Sequence, residues 1–122
     1  MKTPKIKWLD KPQKHDYPAA ESYLSLIVSA REAKKLIGKV KGARIVEYAA
    51  KDIFRASALP MLRNTDGHVE KYRALIILKE PLSPLVLCRD PAHGKLLIAD
   101  GYHRLCAVYS FDEDAMIPCQ IV

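Results

Sequence analysis

Cysteine is scarce in this chain, and the three present, Cys88, Cys106 and Cys119, cannot all pair with one another. A fold stapled by disulfides is therefore not the expectation. No C-x-x-C spacing joins the cysteines, and Cys88, His103, Cys106 and Cys119 do not follow the clustered spacing of zinc ligands. The pattern suits small buried hydrophobes, and no metal site is predicted. Met1 is followed by Lys-Thr-Pro-Lys rather than by an apolar stretch, which argues against a signal peptide. The longest apolar runs, such as residues 96–99, are far too short to span a bilayer. These absences predict a soluble, reduced, cytoplasmic protein with no membrane partner. A Walker loop, a dinucleotide fingerprint, a Ser-His-Asp order and a His-Glu-x-x-His motif are also missing. No internal repeat or low-complexity stretch appears.

What is present is an ordinary globular mixture, 49% hydrophobic and 28% charged, in 122 residues. That length predicts one domain with a core of its own. The net charge is +6 and is unevenly placed: residues 1–51 hold 12 Lys and Arg against 5 Asp and Glu, whereas residues 52–122 hold 8 against 9. A basic N-terminal part suits contact with nucleic acid or another polyanion, and equally suits a solvated face. Trp8, Tyr17 and Tyr23 do not alternate with its lysines, which weighs against a platform for stacking single-stranded bases.

Along the chain, residues 1–16 read as an irregular arm. Asp16 or Tyr17 caps a helix with Pro18 in its first turn, and Tyr23, Leu24 and Ile27 form its apolar face. After a break near Ser29, residues 31–38 continue as helix with Ala33, Leu36 and Ile37 inward, ended by Gly38 or Gly42. Residues 45–48 read as a strand, 49–56 as a helix or tight turn, and 57–64 as a loop around Pro60. Thr65 or Asp66 caps a helix over residues 68–77, with Val69, Tyr72, Leu75 and Ile76 inward. Residues 85–88 and 96–99 form a hairpin across a turn at 90–94. A helix over residues 102–111, an exposed loop at 112–114 and a strand over 117–122 complete the pattern. The expectation is a small mixed α+β domain over residues 45–122, with residues 1–44 a basic arm and helical extension packed on it.

The chemistry concentrates at Asp100-Gly101-Tyr102-His103-Arg104. An apolar strand runs into Asp-Gly and a helix follows at once. Free N–H groups at a helix start, with the dipole behind them, favour an anion. Gly101 permits a positive φ and close approach of a ligand to the backbone. His103 and Arg104 add donors, and the planar guanidinium suits phosphate. Two basic residues in a helix's first turn oppose the dipole, and a bound anion would remove that conflict. The plainer alternative has Asp100 capping the helix while His103 and Arg104 face solvent.

Residues 99–104 followed by Ala107, with the closing stretch 117–122, resemble the C-terminal half of the ParB/sulfiredoxin superfamily domain. Members carry a strand, a Gly-x-x-Arg-x-x-Ala or Gly-Cys-His-Arg turn into a helix, and a last strand starting Ile/Val-Pro. Gly101, Arg104 and Ala107 match the first form; Gly101, His103 and Arg104 match the second. Residues 46–53 are similar to the family's opening strand and Asp-Ile segment, and residues 84–88 to its proline-led strand. Residues 68–75 fall where the family places a helix whose N-terminal residues also face phosphate.

The resemblance covers residues 45–122 and implies binding of a nucleotide such as ATP, ADP or CTP, with magnesium only as a companion of its phosphates. It implies Asp100, Gly101, His103 and Arg104 as phosphate contacts, and Arg55, Ser57, His68 and Lys71 as secondary ones. Tyr102 stands where sulfiredoxins need a nucleophilic cysteine, so sulfinic acid reduction is not implied. No DNA-reading helix-turn-helix follows, so partitioning activity is not implied either. Free-serine kinases of the superfamily carry Asp-Gly-His-His-Arg, which this turn resembles; there a carboxylate near the opening strand would act as base, and Glu47 and Asp52 are the candidates. The expected function is nucleotide or phosphate binding, with phosphoryl transfer or nucleotide hydrolysis as the fitting chemistry. The alternative is a non-catalytic DNA- or protein-binding module of ParB type that uses the basic N-terminal segment.

Overall fold

The structure, a computed structural model, describes residues 3–63 and 65–122. Met1 and Lys2 of the expected arm, and Asn64 of the expected loop, lie outside them. Two helices, α1 (Asp16–Leu24) and α2 (Ala30–Lys41), come first. Then follow β1 (Val46–Ala49), α3 (Ala50–Ser57), α4 (Gly67–Ile77), β2 (Leu85–Asp90), β3 (Lys95–Asp100), α5 (Tyr102–Phe111) and β4 (Met116–Ile121). The four strands form one mixed sheet in the order β1-β4-β2-β3, with β4 and β2 parallel and the two outer pairs antiparallel. The chain is the mixed α+β domain its pattern predicts.

The sheet is buried on both faces. Strand alternation sends Leu85, Leu87 and Ile98 to one side, where Ile53 of α3, Val69 and Ile76 of α4 and Leu105 of α5 cover them. It sends Val86, Cys88, Leu97 and Ala99 to the other, where Ala20 and Leu24 of α1 and Ala33, Ile37 and Val40 of α2 form a second core. The spacing of those three α2 residues is that of one helix face. α1 and α2 thus cover one face of the sheet, packed on it as expected for a helical extension. Gln120 fastens them: Tyr17 donates its hydroxyl to Gln120 Oε1 at 2.7 Å, and Gln120 Nε2 donates to the carbonyl of Ala43 at 2.7 Å.

Several local expectations shift. Trp8 and Leu82 form an isolated parallel bridge, so the arm is tied to the domain before α1 begins. α1 starts at Asp16 with His15 in the cap position, so neither Asp16 nor Tyr17 caps it. Ser29 accepts from the N–H of Glu32 and caps α2, which passes through Gly38 and ends at Gly42. Ile27 is exposed in the corner between the two helices rather than on the apolar face. Among the described residues, no helix is long and apolar enough to cross a membrane.

Candidate anion-binding site

The site begins with an irregularity in the hairpin. Val86 pairs with Asp100 and Leu87 with Ile98, so Ala99 has no counterpart and the strand bulges just before the turn. Bulges re-aim the side chains beside them. Gly101 follows with φ +110°, a conformation that L side chains rarely adopt, and a β-carbon there would lie 2.7 Å from Leu85 Cγ. Glycine is required here both for the turn and for room. The chain then enters α5 with Leu105 N–H returning to the carbonyl of Gly101. No side chain caps this helix. The N–H groups of residues 102–104 are the open first turn, where partial positive charge collects.

Asp100 was expected to cap α5, and it does not. Its Oδ2 accepts from Arg104 Nη2 at 2.8 Å, a pairing one helical turn along. Arg104 was expected to stand open to a ligand; instead its side chain is only 7% exposed, and Nη2 also donates to the carbonyl of Pro84 at 3.3 Å. Burial pulls the guanidinium down, but the Asp100 carboxylate, with Asp16 and Tyr72 behind it, outweighs that and holds Arg104 above its ordinary value. Its Nε is buried with no hydrogen-bond partner among the described residues. A buried donor left unmatched is costly. Asp100 is pushed up, first by burial and also by Asp16, against the lowering effect of Arg104.

The more accessible donors come from two helices that start side by side. His68 is in the first turn of α4 and His103 in the first turn of α5, with ring centroids 4.9 Å apart. α4 is capped: Asp66 Oδ1 accepts from His68 N–H at 2.9 Å and Val69 N–H at 3.2 Å. Those bonds, that of Val69 foremost, and the two imidazoles nearby hold Asp66 below the usual carboxylate range. Lys71, exposed three residues after His68, shares its side of α4. Tyr102 donates its hydroxyl to the carbonyl of Pro60 and ties α5 to the segment after α3.

The remaining predicted residues do not gather here. Arg55 is exposed and bonded to Asp52 at 2.9 Å. Ser57 is buried and donates its hydroxyl to the carbonyl of Phe54 at 2.9 Å, closing the end of α3. Glu47 is exposed on β1, the edge strand three places from β3, roughly 14 Å away at ordinary strand spacing. Asp52 lines a groove of about 420 Å³ with Tyr48, Ile53, Leu87, Arg89 and Leu96, at the other end of the β2–β3 hairpin. None of His68, His103 or Arg104 lines that groove. Convergent donors, rather than cavity volume, mark the site.

Asp16 is the residue that sequence reasoning missed. It is 3% exposed, and its charge raises both Asp100 and Arg104. An aspartate in the first turn of a helix ordinarily faces solvent, so no local signal distinguishes it. Comparison with known proteins finds no match among family models, curated proteins or solved structures.

Proposed function

We propose that this protein binds a nucleotide or phosphorylated small molecule at the start of α5. A phosphate would sit against the N–H groups of residues 102–104, beside the imidazoles of His68 and His103, with Lys71 reaching it from α4. The observation that carries this reading is the uncapped start of α5 facing two convergent histidines, with a buried unmatched nitrogen of Arg104 in the same turn. The resemblance of residues 45–122 to the ParB/sulfiredoxin superfamily, carried by the same turn, points the same way. ATP, ADP and CTP, with magnesium on their phosphates, are the ligands to try first. If turnover follows, phosphoryl transfer or hydrolysis is the fitting class, driven by positioning and charge neutralisation. Asp52, tied to Arg55, and the distant Glu47 are weak candidates for its base.

The test is thermal unfolding of wild type and His103→Ala with millimolar ATP, ADP, CTP or phosphate, with and without magnesium. A ligand at one hundred times its dissociation constant adds about 2.7 kcal/mol. The expected result is a rise of several degrees in wild type that shrinks in His103→Ala, whose ligand-free melting temperature stays close to wild type. No rise with any of these ligands would overturn the reading.

A second reading, a nucleic-acid-binding module, draws on one specific observation. Arg31, Lys34, Lys35, Lys39 and Lys41 are all exposed on α2, whose Ala33, Ile37 and Val40 face inward. Binding through that face would fall steeply with salt and survive His103→Ala.

A further inference from the structure

We propose that the groove beside α3 is a second ligand site, and that it takes a small carboxylic acid with an apolar tail, the carboxylate held by Arg89. The proposal is independent of the anion site at α5. Strand register places the floor of the groove. Leu87 pairs with Ile121 across the parallel strands and with Ile98 across the hairpin, and Arg89 pairs with Leu96. Directly paired residues share a sheet face, as do residues two apart on one strand. Leu87, Arg89, Leu96 and Ile121 therefore lie on the face that α3 covers. Tyr48 joins them, because it pairs with Ile117, four residues before Ile121 on β4. Leu87 and Ile121 thus lie between Tyr48 at one end and Arg89 at the other.

The helix over this face is short. α3 has eight residues; it buries Ile53 but leaves Leu96 and Ile121 only half-buried. The space beside it, about 420 Å³, falls within the range of small-molecule sites, roughly 300–1,000 Å³. Such sites are mostly apolar, with a few polar groups that fix orientation. The charged groups at this rim are Asp52, Asp90, Arg89 and Lys95. Both carboxylates are engaged, Asp52 by Arg55 at 2.9 Å and Asp90 by His93 at 2.9 Å. Among the described residues, neither Arg89 nor Lys95 has a carboxylate within ion-pair reach. A ligand whose tail lies on Leu87, Leu96 and Ile121 brings its head to Arg89, and the guanidinium fork matches a carboxylate through two parallel N–H bonds. Asp90 on the same rim limits the charge of that head. One negative charge balances Arg89, whereas a phosphate dianion would also meet a neighbouring carboxylate. The groove thus suits a single charge on an apolar body, and the start of α5 suits phosphate.

The test titrates the isotope-labelled full chain with octanoate and with octan-1-ol, which has the same tail length and no charge, and follows backbone amides by NMR. Octanoate should give saturable shifts at Leu87, Arg89, Leu96 and Ile121. It should bind about tenfold more tightly than octanol, the scale of one charge-assisted contact. Arg89→Gln should abolish that difference. Ala56→Phe, whose ring would fill the groove from an exposed position on α3, should remove binding of both. The comparison of the two ligands in wild type needs no variant, so it stands even where a variant folds poorly. His103→Ala should leave octanoate binding unchanged. Absence of saturable shifts, equal affinity for octanoate and octanol, or shifts that centre on α5 and vanish in His103→Ala would each overturn the proposal. Tighter binding of octyl phosphate than of octanoate at the groove would overturn the preference for a single charge.

Discussion

Gly101 lies so close to Leu85 that a β-carbon on it would stand 2.7 Å from Leu85 Cγ and 3.0 Å from Arg104 Nη2. The turn that opens α5 is thus built against the buried first residue of β2. Gly101→Ala should destabilise the protein by about 1–3 kcal/mol from overpacking, with a further loss from the positive φ. Urea unfolding measures this, and a variant as stable as wild type would show that the turn is not so confined.

Arg104 is buried and pairs with the half-buried Asp100, so removing one partner strands the other. Arg104→Ala should lose about 3–5 kcal/mol, and Asp100→Asn with Arg104→Met should recover much of it. A double variant no better than the sum of the single ones would argue against the pairing.

The pH dependence of stability has a defined sign. Asp100 is raised in the folded protein, so its contribution is fully present below the ordinary carboxylate value and is lost as pH rises through the raised one. Asp66 is lowered, so its contribution is present above the ordinary value and disappears as pH falls through the lowered one. The stability advantage of wild type over Asp100→Asn should shrink as pH rises from acid toward neutral, and that over Asp66→Ala should grow. Denaturant unfolding at several pH values reads both slopes.

The three thiols should be inert in the folded state. Burial pushes Cys88 and Cys119 up to about 11 and also raises Cys106. Because the thiolate is the reactive form, iodoacetamide at neutral pH should label none of them rapidly until the chain is unfolded. Fast native labelling of Cys106, one turn beyond Tyr102, would reopen thiol chemistry at this site.

Leu24 is fully buried against the sheet from α1. Leu24→Ala should therefore lose about 2–5 kcal/mol, as for a core residue. A loss near zero would mean that the N-terminal helices are dispensable to the fold.

Much of the architecture is legible locally. The strand alternation of residues 85–99, the Asp-Gly turn and the 102–111 helix rest on neighbours in sequence, and each stands as expected. Asp66 could be recognised as a cap for the same reason, since a cap and its N–H partners lie within three residues. The phosphate-site residues divide along that line. Gly101 is dictated by its own backbone, whereas the roles of Asp100 and Arg104 depend on what packs over them. Ser57 reads as a polar loop residue, but its hydroxyl turns back on the helix it ends.

The sequence by itself determined the order of elements, the hairpin, the glycine turn and the basic character of the first 51 residues, because propensity, periodicity and charge are properties of short segments. Only the tertiary structure decided the strand order, the meeting of His68 with His103, the burial of Arg104 and the action of the Asp16 charge on Asp100. Those depend on contacts between residues far apart in the chain, made when the two faces of one sheet are covered by helices from opposite ends of the sequence, and no local pattern encodes which side chains such packing brings together.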